Sequence, residues 1–381
     1  MKDGKIVVAR LWPRYEGVVS SRASVISSIN PRKYETIIIY LMKNSESPNF
    51  FEEEGYRVFY ISRKKFFRLP NLLGIWKLLR VLKHQKVDIL HSHGHKATIY
   101  GTIAAKLAGI HIVLSHVPGL NRSKRRRRKF MNWIVLRWVN KILTTGEAVR
   151  KDVLRNNPVV RPEQVIPIGN SIDYDRFSQV HITKQQAKEN LAIKTDAFVF
   201  GTVGRLVPTK GYNYLIEAFT QVKQHLPSAL LVFVGSGRLH NQLKEQAAES
   251  GFAEDIIFLG RRDDVPQLMR AMDVFVLSSV AEGMPRAMLE AMAAGVPCIA
   301  TNVGGVAEIL ENGKFAMMAE ANDTNALAKA MAEMTGKSVE EREELAAKAK
   351  QHVSENYVHE VVIEKLQSVY EQVRLEKNRT A

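Results

Sequence analysis

The sequence predicts an α/β protein made of two doubly wound domains, and three observations support this. Short apolar runs rich in β-branched residues alternate with longer amphipathic stretches, which is the rhythm of a parallel sheet with helices on both faces. The rhythm restarts near Phe198, after a polar segment at Asp173–Ala197. The length of 381 residues exceeds one ordinary core and suits two. We therefore expect Rossmann-like domains at 1–178 and 179–357, with ligands in a cleft at the carboxyl ends of their strands.

The expected strands and helices follow from this rhythm. The first domain has predicted strands at Ile6–Ala9, Thr36–Tyr40, Val87–Leu90 and Ile112–Ser115. The second has predicted strands at Phe198–Val203, Leu230–Gly235, Ile256–Leu259, Val274–Ser278 and Val296–Thr301, with helices at Tyr212–Gln224, Leu239–Ala248 and Pro285–Ala294. A last amphipathic helix is predicted at Val358–Leu375.

Composition and charge narrow the function classes. Hydrophobic residues are 45% and charged residues 25%, as in folded rather than disordered proteins. A net charge of +16 favours anionic partners such as nucleic acid, anionic lipid or phosphorylated small molecules. Cys298 is the one cysteine, which excludes an internal disulfide and fits the cytoplasm. We also expect neither a secretory segment nor a membrane span, because no apolar run approaches about 18 residues.

A glycine-rich segment, GRLVPTKG at Gly204–Gly211, follows a predicted strand and precedes a helix. Such a turn presents backbone N–H groups and the positive end of the helix dipole to an anion. Arg205 and Lys210 add two cations suited to a diphosphate. The spacing fits neither the ATP-binding phosphate loop nor the dinucleotide fingerprint. By itself the segment is equally consistent with an ordinary strand–turn–helix joint.

The segment EGMPRAMLEAMAAGVPCIAT begins at Glu282, in the loop after a predicted strand. Pro285 suits the first turn of the next helix and Gly295 suits its end. Glu290 then lies inside a helix that is otherwise apolar and buried. A buried carboxylate needs a partner, for which a ligand's paired hydroxyls and a buried arginine are the alternatives.

Together these motifs resemble those of the retaining glycosyltransferases of family four, which have the GT-B fold. The resemblance covers nearly the whole chain and is closest between Gly201 and Glu311. Its elements, in order, are VDILHSHG, TTGEAVRKDV, VIPIGNSIDYDRF, GRLVPTKG, VGSGRL, LGRRDDVPQLM, the E-x7-E element and VGGVAEIL.

The resemblance implies a donor site for a nucleotide sugar. Glu290 would hold the ribose hydroxyls and Glu282 the hydroxyls of the sugar, with Arg205 and Lys210 neutralising the diphosphate as the leaving group develops charge. The other residues implied in donor binding are Gly17, Gly204, Arg262, Gly283, Met284 and Pro285. His116, at the end of a predicted strand, would reach the donor sugar or the acceptor.

The sequence departs from the family pattern in two places. Val18 follows Gly17 where the family usually has a second glycine, and Ser171 replaces the glycine of the N-G-I-D element. We expect no metal and no cofactor beyond the nucleotide-sugar substrate. His91 and His93 share a face of an extended segment, but the sequence offers no cysteine or carboxylate cluster beside them. The D-x-D spelling at Asp173 and Asp175 falls within a linker motif and is not interpreted as a metal site.

A basic amphipathic helix is predicted at Asn121–Ile142, and seven of the eight residues Arg122–Lys129 are Lys or Arg. Basic residues next to tryptophans are typical of a membrane-interface anchor, while the alternative is a solvated charged face. The predicted membrane contacts are Arg125, Arg126, Arg127, Arg128 and Trp133. A second basic stretch, Arg63–Lys86, is expected instead to pack its apolar residues on the sheet.

The sequence thus predicts a retaining, metal-independent hexosyltransferase. A UDP-sugar is the favoured donor, and a membrane-associated glycan or glycolipid of cell-envelope polysaccharide synthesis is the expected acceptor. The enzyme is expected on the inner face of the cytoplasmic membrane, with its C-terminal helix, 358–381, packed on the N-terminal domain. The alternatives are another GT-B enzyme, such as a sugar-nucleotide epimerase, and a basic protein that binds membrane or nucleic acid.

Overall fold

A computed structural model describes residues 4–15, 17, 25–26, 29–62, 71–120 and 126–378. The chain forms two compact units. Unit 1 comprises Met1–Asn170 and His359–Ala381, and unit 2 comprises Ser171–Val358. The chain enters unit 2 before the expected boundary at residue 178, because Ile172 pairs with Val358 there and Phe177 packs in the core of unit 2.

The described part of unit 1 contains a seven-stranded parallel sheet in the order β3-β2-β1-β4-β5-β6-β7. Its strands are β1 (Ile6–Trp12), β2 (Tyr34–Tyr40), β3 (Arg57–Tyr60), β4 (Ile89–His93), β5 (Ile112–Val117), β6 (Lys141–Thr144) and β7 (Val165–Pro167). Its helices are α1 (Phe50–Glu53), α2 (Leu72–His84), α3 (His95–Ala108), α4 (Arg126–Val135), α5 (Glu147–Asn156) and, from the C-terminus, α15 (His359–Asn378).

The two faces of this sheet are covered by different helices. One core combines β1, β4 and β5 residues with Leu78 of α2 and Tyr100 of α3. On the other face, Leu366 and Tyr370 of α15 pack on Val8 and Leu114 of the strands. The C-terminal helix is therefore an integral part of unit 1.

The described residues of unit 2 form a six-stranded parallel sheet in the order β10-β9-β8-β11-β12-β13. Its strands are β8 (Phe198–Val203), β9 (Ala229–Val234), β10 (Ile256–Phe258), β11 (Val274–Leu277), β12 (Cys298–Thr301) and β13 (Met317–Ala319). Its helices are α6 (Tyr174–Ser178), α7 (Lys184–Glu189), α8 (Tyr212–Lys223), α9 (His240–Glu249), α10 (Val265–Arg270), α11 (Arg286–Ala293), α12 (Val306–Ile309), α13 (Thr324–Gly336) and α14 (Val339–Asn356). Two apolar clusters, one on each face, complete the doubly wound arrangement.

The basic segments differ from the prediction. The helix expected at Asn121–Ile142 ends at Val135, and β6 begins at Lys141, because this stretch completes the sheet beside β5. The apolar residues of the second basic stretch were expected to pack on the sheet. Ile75 of α2 does so, but the prediction was wrong for Leu72, Leu73 and Trp76, which are exposed. Their exposed fractions are 81%, 59% and 50%. The predicted contact Arg125 and the stretch 63–70 lie outside the described residues.

Candidate active site

The order of the strands in unit 2 fixes where a ligand can bind. From β8 the chain continues to β9 and β10 on one side, and then returns to β11 on the other. The loops after β8 and β11 therefore diverge at the carboxyl edge of the sheet, which is where doubly wound sheets open a crevice for ligands. The two motifs singled out in the sequence occupy these two loops.

The loop after β8 is tightly built around Gly211. This residue has φ of +60°, and a Cβ added to it would lie 2.2 Å from the Ser278 carbonyl oxygen, so only glycine fits. The Ser278 hydroxyl donates to the Lys210 carbonyl oxygen at 2.9 Å and ties this loop to the end of β11. The helix α8 starts at Tyr212 without a side-chain cap, so its first backbone N–H groups remain available to an anion.

The two cations of this loop differ in their surroundings. The Lys210 Nζ lies 2.6 Å from Glu282 Oε1 in an ion pair. The Arg205 guanidinium is exposed, and no hydrogen bond or ion pair of this side chain occurs within the described ranges. The structure thus brings together Arg205, Lys210 and Glu282, from loops that follow two adjacent strands.

Glu282 is held by more than Lys210. Its Oε1 also accepts a hydrogen bond from the Ser279 hydroxyl at 2.6 Å. The Thr301 hydroxyl in turn donates to the Ser279 carbonyl oxygen at 2.5 Å, so β12 supports the loop. Ser279 was not identified from the sequence, and its position three residues before Glu282 was the only signal it offered.

Glu290 lies within α11, as predicted, on a helix whose neighbouring side chains are buried. Burial raises the pKa of its carboxyl group, while Arg286 and Arg176 act in the opposite direction. Within the part of the chain that the structure describes, this carboxylate has no hydrogen-bond or ion-pair partner. Neither arginine is buried, so the buried arginine that was the alternative partner of Glu290 is not among the described residues near it.

The neighbouring loops close around these side chains. A Cβ on Gly305 would lie 2.0 Å from the Gly283 carbonyl oxygen, so the loop after β12 touches the segment between Glu282 and Pro285. Met284 and Pro285 are buried in this contact. Gly204 is equally confined, because its Cβ would lie 2.7 Å from the Tyr212 hydroxyl.

Arg262, which was predicted to bind the donor, and Asp173, which belongs to the D-x-D spelling, both have partners close in sequence. Arg262 lies in the exposed loop after β10 and pairs with Asp264 through two contacts of 2.8 and 2.5 Å. This pairing holds the pKa of the Asp264 carboxyl group below its usual range. The Asp173 side chain caps α6 by accepting from the Arg176 backbone N–H.

In unit 1 the predicted His116 lies at the end of β5, beside β4. Strand register places it opposite His93, and the ring centroids of the two are 5.4 Å apart. Ligand atoms of His91, His93 and His116 all lie within 4.8 Å of one another. The alternation of residues in β4 predicts that His91 and His93 share a face, but no local pattern indicates that His116 of the neighbouring strand joins them. Gly17, with φ of +81°, lies against Ser45.

The predicted membrane contacts that fall within the described residues, Arg126 to Arg128 and Trp133, lie on α4. Arg126 to Arg128 occupy its first turn, and Trp133 is half exposed with the Arg137 guanidinium 4.1 Å from its ring centroid. Phe130 is more exposed still, at 61%. In the described ranges no helix is long and apolar enough to cross a bilayer.

Comparison with known proteins assigns the family. Residues 22–176 match the model "Glycosyltransferase Family 4", and residues 183–352 match "Glycosyl transferases group 1". The chain is 30% identical over 349 residues to the UDP-Gal:alpha-D-GlcNAc-diphosphoundecaprenol alpha-1,3-galactosyltransferase of Escherichia coli, covering 88% of this chain and 89% of that protein. It is 26% identical to the capsular polysaccharide biosynthesis glycosyltransferase CapM of Staphylococcus aureus, covering 79% and 80%.

Solved structures agree on the fold. The crystal structure of Anabaena HepE in complex with UDP superposes with a TM-score of 0.80 at 20% identity, covering 96% of this chain and all of that one. The predicted fold class, GT-B with two Rossmann-like doubly wound domains, is confirmed. The protein is thus a glycosyltransferase, and it belongs to the group 1 glycosyltransferases of family four.

Proposed function

We propose that the protein is a retaining, metal-independent hexosyltransferase that uses a UDP-sugar as donor. The observation that carries this proposal is the carboxylate of Glu290, which is partly buried and unpaired among the described residues, on the helix that begins where the Glu282 loop ends. A carboxylate withdrawn from water without a partner is costly, and the paired hydroxyls of a ribose would supply two donors.

Each charged side chain then has a role that its surroundings support. The first backbone N–H groups of α8, with Arg205, would hold the diphosphate and stabilise negative charge on the leaving UDP. Lys210 would exchange its contact with Glu282 for a phosphate oxygen when the donor binds. Glu282 would then be released towards the hydroxyls of the sugar, while Ser279 keeps hold of its Oε1.

UDP is favoured as the leaving nucleotide by two relatives. The Escherichia coli relative is named for transfer from UDP-Gal, and the Anabaena neighbour was solved with UDP. An acceptor carried on a polyprenyl diphosphate, or a related cell-envelope glycan, is favoured by the name of the same relative.

Peripheral attachment to the inner leaflet is supported by the surface of unit 1. The helices that follow strands of a parallel sheet begin at its carboxyl edge, so the first turns of α2 and α4 lie at the same edge. These turns expose Leu72 and Leu73 on α2 and basic residues on α4, with Phe130 one turn further on. Exposed apolar side chains beside several arginines suit the interface of an anionic membrane.

The donor assignment is tested by a thermal-shift screen. We expect UDP and UDP-sugars to raise the Tm of the wild-type protein in the presence of EDTA, and GDP and ADP to do so less. Glu290→Gln should lose about tenfold or more in UDP affinity, because a charge-assisted hydrogen bond is removed. The matched control is Glu311→Gln, an exposed carboxylate of the same unit. Unchanged UDP affinity in Glu290→Gln would sink the site assignment.

Membrane attachment is tested by co-sedimentation with vesicles of phosphatidylglycerol and phosphatidylethanolamine. Leu73→Ser with Trp133→Ser should reduce the bound fraction severalfold at constant salt. Leu107→Ser is the matched control, because Leu107 is 60% exposed but lies in the last turn of α3, at the opposite end of that helix. Equal losses in the variant and the control would argue against a localised membrane contact.

A further inference from the structure

In unit 1 the chain adds β2 and β3 on one side of β1 and then returns to add β4 on the other side. One arginine and three histidines lie together at this point of the sheet. Arg10 of β1 is the register partner of His91 of β4, and His93 of β4 is the register partner of His116 of β5. Residues that share a register in adjacent strands point to the same face of the sheet. We call Arg10, His91, His93 and His116 the basic cluster. It occupies the point of unit 1 at which doubly wound sheets bind ligands.

Among the described residues, no carboxylate lies in an ion pair with Arg10. The side chain is 2% exposed, and its Nε and Nη2 atoms have no hydrogen-bond partner. Removing a guanidinium from water costs several kcal/mol unless an anion offsets its charge, and a bound anion would also accept from the unsatisfied Nε and Nη2 atoms.

The hydrogen bonds within the cluster favour an anion over a metal ion. The Arg10 guanidinium interacts with the Tyr370 hydroxyl, and that hydroxyl lies 2.8 Å from His91 Nδ1. Arginine can only donate, so the Tyr370 oxygen accepts from Arg10, and the Tyr370 hydroxyl proton is available to His91 Nδ1. With that proton donated to Nδ1, the neutral imidazole carries its own proton on Nε2, which is buried and has no partner among the described residues. In this tautomer Nε2 donates to an anion rather than ligating a metal.

The surroundings are positive as well. The helix α3 begins directly after β4 and has no side-chain cap, so the positive end of its dipole follows His93 by two residues. Burial and the nearby Arg14 lower the pKa of Lys96, in the first turn of the same helix. Burial, with smaller contributions from the charges of Arg10 and His116, holds the pKa of His91 well below its usual range. His93 and His116 are partly exposed, so they form the accessible rim of the cluster.

We propose that the basic cluster binds a phosphate group of the acceptor, with His93 and His116 at its entrance and Arg10 and the Nε2–H of His91 at its base. The ligand class is a phosphate ester or diphosphate that carries the acceptor sugar. The inference rests on the proposed function for the identity of this ligand as acceptor, but the anion site itself stands on the geometry of unit 1 alone.

The test measures binding of inorganic pyrophosphate by calorimetry, with UDP at saturation to fill the donor site. Wild-type protein should bind pyrophosphate saturably, and Arg10→Met should lose about tenfold or more in affinity. In the absence of any ligand, Arg10→Met should have a higher Tm than the wild type, because the uncompensated charge is gone. If Arg10 has only a structural role, Arg10→Met should instead have a lower Tm than the wild type and an unchanged affinity for pyrophosphate. That result would overturn the proposal.

Further variants complete the test. If Arg10→Met does not fold, His93→Gln at the rim should weaken pyrophosphate binding, and unchanged affinity would refute the site. Saturable Zn²⁺ binding that is lost in His116→Gln but kept in Arg10→Met would indicate a metal centre and also overturn the proposal. Failure of the proposed function appears separately, as absence of UDP stabilisation in the wild type, whereas failure of this inference leaves the UDP response intact.

Discussion

The two units have the same architecture, but the point at which the strand order reverses carries charges of different sign in the two sheets. In unit 2, the loop after β11 and the helix that follows it carry Glu282 and the partly buried Glu290. In unit 1, the edge between β1 and β4 carries Arg10 and three histidines. Among the described residues each site holds one charge without a partner of opposite sign, negative at Glu290 in unit 2 and positive at Arg10 in unit 1. The fold fixes where a ligand binds, and a few side chains fix which ligand.

The largest effect is expected from deleting the C-terminal helix, which covers one face of the sheet of unit 1. Deleting His359–Ala381 removes the buried Leu366, Val369 and Tyr370 from one face of its sheet. Losing several such side chains costs more than the usual total stability of a domain. We expect calorimetry to show loss of the unit 1 transition, while UDP still stabilises the transition that remains.

A shorter deletion is the control for this experiment. Removing residues 377–381 leaves all of these buried side chains in place and should change neither transition. A single cooperative loss of both units after the long deletion would contradict the independence of their cores.

The second largest effect is expected at the ion pair of unit 2. Glu282→Gln and Lys210→Met should each lower kcat by about 100-fold or more, since each removes a charge aimed at the reacting groups. Because the two side chains contact each other, the double variant should lose less than the product of the single losses. Lys314→Met, which breaks an exposed ion pair with Glu311, is the matched control. If the kcat of the double variant falls by the full product of the two single losses, the two side chains act independently.

The sequence correctly predicted the loop and the helix on which Glu282 and Glu290 lie, because the signals for these elements are local. Glu282 and Glu290 lie on one loop and one helix, and Pro285 and Gly295 mark the limits of that helix. The same holds for Gly211, whose left-handed backbone needs glycine. Each of these features is visible within about twenty residues of sequence, so strand order was not needed to find them.

The basic cluster of unit 1 was not predictable in this way. Arg10 interrupts an apolar strand and carries no motif, and it meets His91 only because β1 and β4 are neighbours in the sheet. Tyr370 reaches the cluster from the far end of the chain. The strand β6 was not predicted for a related reason. In the sequence Lys141 fits the end of a basic helix, and its ion pair with Glu376 of α15 joins residues that are far apart in the chain. Contacts made through long sequence separations leave no local pattern.

A smaller effect is expected from the raised pKa of Glu290. A carboxyl group with a raised folded-state pKa binds protons more tightly in the folded than in the unfolded protein. The free energy of unfolding therefore falls as pH rises from the usual glutamate pKa to the raised one, and stays lower above it. Glu290→Gln should be more stable than the wild type at pH 7, with the difference shrinking as pH is lowered towards 4. Urea denaturation at several pH values without nucleotide measures this, and a difference that does not vary with pH would refute it.

The smallest effect is expected from Ser279, whose hydroxyl positions the charged carboxylate of Glu282 in unit 2. The Ser279 hydroxyl donates to Glu282 Oε1 at 2.6 Å, and its backbone is fixed by Thr301. Ser279→Ala removes one hydrogen bond, so kcat should fall by roughly two- to tenfold with little change in KM for the donor. The Tm should hardly move, because the loop remains tied through the Ser279 carbonyl oxygen. In a Glu282→Gln background the same change should have almost no further effect on kcat, because the carboxylate that Ser279 positions is gone. An equal loss of kcat in both backgrounds would mean that Ser279 acts on something other than Glu282.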